Sequence, residues 1–455
     1  MNFLNLDKEH QIIKYFIILG WIACWVSISF NPEFFYFPDN YIILIFEELD
    51  YLKLITFFRG ISTLIFFPIL IIISIILTKK KNLHKSNYIF FIIAIFFIIQ
   101  IIGLTNTNNS KINIYYIVGS LDVIIICFIF KNFFSEKELV LIFNITYIIL
   151  LSIFIYFGAK YVITMANYPI NLSLYSVWGN MKINTLMFEN PRPTGLARTA
   201  LIILIISSIL MIKNNNFNFF YLFLINLTSF FIISLGSRTV IFLYILYLVF
   251  YIFLNKLFSL KKIFYLLSKF CFLPLGMIFF LGFIQEKVNL SPEYIDQTKN
   301  KKNYSIFRKY MSYSSVIRKF PPLEPKTKSD FSSGRYNDWK NIINKNPNIF
   351  YGVGTMGDRY LIQQSASNLV FYSYASSGVL GVILIIYVSI NTFFTSILIL
   401  IKSGNIHSNR YKLISATCLI ILILRSVLET SYGVFGIDLI LFSLFLSIIS
   451  FKKKI

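Results

Sequence analysis

Uninterrupted apolar runs of roughly 20 residues recur along this chain, and they constrain its fold more than any other feature. A run of that length spans about 30 Å as a helix, the thickness of a bilayer's hydrocarbon core. Stretches such as Ile69–Leu77 and Leu201–Leu210 lack the apolar–polar alternation of a membrane β-barrel strand. Composition agrees: 57% of the 455 residues are hydrophobic and 14% are charged, against about 25% charged in a soluble domain. The expected fold class is an all-α polytopic membrane protein, a single integral membrane domain over residues 1–455.

The hydropathy pattern predicts twelve spans: 11–30, 55–77, 87–104, 112–130, 139–158, 197–212, 219–235, 239–255, 263–284, 377–401, 411–430 and 433–451. The short loops on one side of this arrangement hold eighteen Lys or Arg, among them Lys79, Lys80, Lys81, Lys261, Lys262 and Lys452. Those on the other side hold seven. The asymmetry places both termini in the cytoplasm and makes the second face periplasmic or extracellular. The net charge of +22 is therefore spread over membrane loops, and it does not indicate a nucleic-acid partner. The first apolar run lacks a small-residue cleavage site and reads as a retained anchor. Cys24, Cys127, Cys271 and Cys418 lie far apart within apolar runs, which suits packing rather than a disulfide framework.

Two outer segments are long, 159–196 and 285–366. The second lies between spans nine and ten and is the one stretch suited to a soluble subdomain. Within it, Arg335 and Tyr336 lead into Trp339, Ile342 and Ile343, which fit one face of a short amphipathic helix. Asn346-Pro347-Asn348 ends that helix, and Gly352, Gly354 and Gly357 mark a turn-rich loop.

The chain has ten arginines, and on this topology all but Arg410 lie on the outer side or at the outer end of a span. Arginine offers a planar fork that binds phosphate or carboxylate through two donors, which lysine cannot do. Arg425 sits near the end of a span with Glu429 at i+4, a spacing that puts both on one helix face. Two compatible readings follow: a structural ion pair, or an anion-binding arginine oriented by a glutamate. Arg238 lies in the tight turn Gly236-Ser237-Arg238, and Arg192 and Arg198 flank Pro193-Thr194-Gly195 just before a span. Each suits a phosphate clamp or a lipid headgroup contact. Asp122 and Asp438, inside spans, are packing polar groups or parts of a polar cavity. The three histidines, His10, His84 and His407, all fall on the cytoplasmic side, so outer-face chemistry would rest on Arg, Glu, Asp, Asn and Tyr. No metal site is expected.

These residues resemble the O-antigen polymerase and O-antigen ligase superfamily. The resemblance is carried by Arg192 to Arg198, Gly236-Ser237-Arg238, Gly334-Arg335 to Trp339, Gly352-Val353-Gly354 to Asp358-Arg359, Ser367-Asn368, Ser377-Gly378 to Gly381, Arg425 to Glu429, and Gly436-Ile437-Asp438. It covers roughly residues 190–445. It implies a glycosyltransferase C-like bundle in the bacterial inner membrane, with its active face periplasmic and no metal or nucleotide cofactor. Its implied partners are undecaprenyl-diphosphate-linked glycan donor and acceptor, membrane lipid and a chain-length regulator. The ligase branch typically has a histidine where this chain has Ser367, which favours the polymerase.

The resulting expectation is a metal-independent glycosyltransferase that joins lipid-linked repeat units. Arg192, Arg198, Arg238 and Arg425 would hold the diphosphate as it leaves, with Glu429 beside them. Arg335, Arg359, Asp358, Asn368, Trp339 and Tyr336 would shape the substrate loop. The general base is open among Glu429, Asp358, Asp338 and Glu189. The alternatives are a ligase transferring glycan to lipid A core and a lipid-linked oligosaccharide flippase or transporter.

Overall fold

The structure is a computed structural model, and it describes residues 3–29, 51–79, 88–106, 110–167, 193–211, 218–254, 259–276, 335–362, 364–402 and 410–451. The described residues are almost entirely helical and contain no strand. Each apolar run read above as a span falls on a helix. In chain order these are α1 (Phe3–Ser29), α2 (Tyr51–Lys79), α3 (Tyr88–Gly103), α4 (Ser110–Phe133), α5 (Glu136–Asn167), α6 (Pro193–Met211), α7 (Asn218–Ser234), α8 (Arg238–Leu254) and α9 (Leu260–Leu267). Within the predicted loop 285–366 lie α10 (Arg335–Lys345) and α11 (Gly357–Ile362), and after it come α12 (Leu369–Lys402), α13 (Arg410–Ser426) and α14 (Ile437–Ile449).

Five stretches are long and apolar enough to cross a membrane: Gln11–Ile28, Ile114–Phe133, Glu136–Val162, Thr194–Met211 and Leu369–Lys402. They fit a multi-pass membrane protein. Burial sorts the helices. In α14 every residue from Asp438 to Ile449 is buried, and α13, α4 and α6 are nearly so. α12 instead exposes Ile383, Tyr387, Ile390, Phe394, Leu398 and Ile401, spaced three or four apart along one face. Local signals set some ends. Ser135 and Glu138 form a reciprocal cap at the start of α5, with Ser135 N–H donating to Glu138 Oε2 at 2.7 Å.

Three boundaries differ from the hydropathy reading. The predicted span 263–284 begins as α9 and continues through a π-turn at Ser268–Phe272, and residues 277–284 lie outside the described ones. The span 411–430 stops as helix at Ser426, and 433–451 starts as helix only at Ile437. The intervening residues form a connection, exposed at Val427 and buried at the 3₁₀ turn Ser431–Gly433, whose hydropathy alone could not be told from helix.

The span 377–401 contains a sharper departure. α12 starts eight residues earlier, at Leu369, but Gly378 breaks it with φ 62° and ψ −160°. Twenty residues of straight helix would separate Leu369 from Ser389 by about 30 Å. Here Leu369 packs on Gly433, while Ser389 hydrogen-bonds the hydroxyl of the adjacent Tyr432 at 2.6 Å. The first segment of α12 therefore folds back around the 431–433 turn.

The break is filled by the glycine loop. Val353 and Gly354 N–H donate to Ala375 and Ser376 carbonyls at 2.9 and 3.0 Å, and Val379 N–H donates to Ile349 O at 2.8 Å. Backbone groups orphaned by the kink are thus paired, which a membrane interior requires. Glycine is needed because a Cβ at Gly378 would lie 2.2 Å from the Phe350 carbonyl carbon, and one at Gly352 would lie 2.6 Å from the Ala375 oxygen.

Candidate functional site

The ends of three helices meet at one buried carboxylate. Pro193 opens α6, where a missing N–H costs nothing, and Arg198 follows one turn later. Arg425 closes α13 and Asp438 opens α14. Arg198 Nη1 lies 3.1 Å from Asp438 Oδ1. Arg425 Nη1 donates to Asp438 Oδ2. Asp438 at a helix N-terminus and Arg425 at a C-terminus each suit the dipole of their own helix. Arg198 has no such support and depends on Asp438.

Arg425 is 6% exposed and Asp438 3% exposed, while the Arg198 side chain keeps 18%. The buried group therefore carries two cations on one anion. Charges so deep persist only when paired and hydrogen-bonded. The pairing here is incomplete: Nε of both arginines is buried without a hydrogen-bond partner among the described residues. Each guanidinium thus keeps one unused donor, and Asp438 Oδ1 is likewise without a hydrogen bond among the described residues.

The expected Arg425–Glu429 helix pair is corrected. α13 ends at Ser426, and Leu428 N–H donates to Arg425 O at 2.9 Å in a tight turn, so Glu429 is not one helical turn from Arg425. Among the described residues Arg425 pairs with Asp438 alone. Glu429 is half-buried and close enough to Arg198 to act on it electrostatically. The signal for Asp438 was in the sequence: a lone carboxylate in an apolar run needs a cation, and Arg425 was the nearest one along the chain. Asp122 has no such partner. It is buried in α4, and both its carboxylate oxygens lack a hydrogen bond among the described residues.

Compared with known proteins, the chain matches no protein-family model and no curated protein. The arrangement must therefore be read from its own chemistry.

The remaining candidates divide in two. Arg192 lies outside the described residues. Arg238 follows Gly236 (φ 63°) and starts α8, where it is exposed. Arg359 and Tyr336 are exposed, and Arg335 is half-buried at the start of α10. None of Arg238, Arg335 and Arg359 makes an ion pair among the described residues, and no contact recorded there joins them to Asp438.

Asp358, Asn368 and Trp339 are engaged within the chain. Asp358 is buried and accepts the Arg359 and Ala366 amides at 2.9 and 2.8 Å. Burial pushes its carboxyl above the ordinary value, against the pull of Arg359 and the amides. Asn368 Oδ1 accepts the Val370 and Phe371 amides and caps α12, and its Nδ2 donates to Val427 O at 2.7 Å. Trp339 donates to Ala366 O at 2.8 Å and stacks on Phe371 with centroids 4.7 Å apart. The α10 face that packs inward carries Trp339 and Ile342, with buried Asn346 just past its end, whereas Ile343 is exposed, contrary to the expected face. The bond from Asn368 to Val427 ties this loop to the turn that follows Arg425. Among the described residues no group of three or more His, Cys, Asp or Glu is placed to hold a metal ion.

Proposed function

We propose that this chain is a bacterial inner-membrane polysaccharide polymerase. It joins undecaprenyl-diphosphate-linked repeat units on the periplasmic face of a twelve-span, glycosyltransferase C-like bundle with both termini cytoplasmic. The observation that carries the reading is the pair of guanidiniums on Asp438, each with a buried Nε donor unused among the described residues. A departing diphosphate gains negative charge as the glycosidic bond breaks. Buried donors aimed at that charge stabilise it more than donors in water would.

In this reading the acceptor hydroxyl attacks the anomeric carbon of the donor glycan. The bond from that carbon to the diphosphate oxygen breaks, and Arg198 and Arg425 take up the leaving diphosphate. The hydroxyl proton goes to a carboxylate. Asp438 is held by two arginines, and Asp358 is buried under two amides. Glu429 is half-buried, acts electrostatically on Arg198, and is the base we assign. In this reading Arg192 and Arg238 assist the clamp.

The test is a deletion in the native host, with surface glycan resolved by gel and lipid-linked intermediates weighed by mass spectrometry. A surface lipid carrying one repeat unit, with the long ladder gone, is the expected result. Bare core with long polymer held on the lipid carrier would indicate a ligase instead. Single units trapped on the cytoplasmic side would indicate a flippase, and an unchanged glycan would overturn the assignment.

A further inference from the structure

We infer that the segment Ile349–Tyr351 is seated in the bilayer at its hydrocarbon–headgroup boundary, with lipid rather than water or protein as its partner. Ile349, Phe350 and Tyr351 are exposed at 56%, 65% and 37%. Two adjacent bare apolar side chains and an amphipathic tyrosine fit the composition of a membrane interface. Their position decides the occupant. Val379 N–H donates to Ile349 O, and the Phe350 carbonyl sits against Cα of Gly378, so the segment is fixed at the top of the second half of α12.

That half is the one with the exposed apolar face, from Val379 through Ile383, Tyr387 and Phe394 to Ile401, followed at once by Lys402. The stripe rises about 33 Å at 1.5 Å per residue, matching a hydrocarbon core of about 30 Å. One end of the core is therefore at Ile401, before the lysine, and the other is at Gly378. The exposed surface of 349–351 continues the stripe at that second end. A stretch that the sequence places in a water-facing loop thus becomes a membrane contact, because the kink at Gly378 docks it onto the side of the bundle.

The experiment places a nitroxide on Phe350→Cys in a Cys271→Ala background, with the protein in nanodiscs of phosphatidylethanolamine and phosphatidylglycerol. Cys24, Cys127 and Cys418 are buried. Collision rates with oxygen, which favours lipid, and with a neutral nickel chelate, which favours water, are read by spin resonance. Phe350 is a surface side chain, so the substitution leaves the fold intact, and Ile349→Cys is a second probe. The expected oxygen-to-nickel ratio at both sites is several-fold above that at Asn337→Cys, on the polar face of α10, and close to that at Ile383→Cys. A ratio equal to that at Asn337 means water covers the segment, and the inference fails. Exclusion of both relaxants with spin–spin broadening means a second copy covers it, and the inference fails equally.

Discussion

The Arg198–Asp438–Arg425 corner and the Trp339–Asp358–Asn368 seam are both polar, both built where helices end, and joined by the bond from Asn368 to Val427. They differ in what their polar atoms have left to give. In the seam the carboxylate is taken by two backbone amides, the asparagine caps a helix, and the indole N–H holds a carbonyl. In the corner one carboxylate serves two guanidiniums, and both Nε atoms are without a partner among the described residues. A region with its hydrogen bonds filled is scaffold. On the proposed reading, the region with buried donors to spare is where the diphosphate binds, because an unmet buried donor costs free energy until a ligand meets it.

Four measurements sharpen or break that contrast. The largest effect belongs to the scaffold: Gly378→Val should abolish accumulation of folded protein, since φ 62° and the Phe350 backbone leave no room for a side chain. Detergent-solubilised yield reads this, and a normal yield would break the account of the kink. Next, Asp438→Ala should lower stability by about 3–5 kcal/mol, because it leaves two buried guanidiniums unpaired. Thermal unfolding midpoints of this variant, of Arg425→Ala and of the double variant form a cycle. Additive losses would show that the two residues are not coupled.

Third, Glu429→Gln should cut polymerisation about 10²–10⁴-fold with the unfolding midpoint unchanged, the mark of a general base rather than a support. A midpoint falling in step with activity would return Glu429 to a structural role. The smallest effect is expected for Trp339→Phe. It keeps the stack on Phe371 and loses one hydrogen bond, costing about 1 kcal/mol with polymerisation intact. A loss of activity at normal stability would move the seam into the site and dissolve the contrast.

Much of the fold was legible because bilayer thickness fixes a length. Apolar runs marked the long helices among the described residues, although α1, α5 and α12 reach eight or nine residues beyond a predicted end and the short α11 had no such signal. The glycines at 352, 354 and 357 were legible as punctuation, and Arg198 and Arg425 as arginines worth explaining, whereas Gly378 lay inside a predicted span and gave no sign of its break. The misses fall where chain neighbours and spatial neighbours part company. Glu429 follows Arg425 at helical spacing, yet the helix stops between them. Asp438 lies in another helix and wins both arginines.

The sequence by itself therefore determined an all-α chain with helices suited to a bilayer, because hydropathy acts through solvent and needs no partner. Only the tertiary structure decided which carboxylate meets which guanidinium, which donors stay unpaired, and that Gly378 folds α12 back to seat residues 349–351 against the bundle. Those outcomes depend on distances between segments remote in sequence, and a buried charge is settled by whatever counter-charge the packing brings within reach.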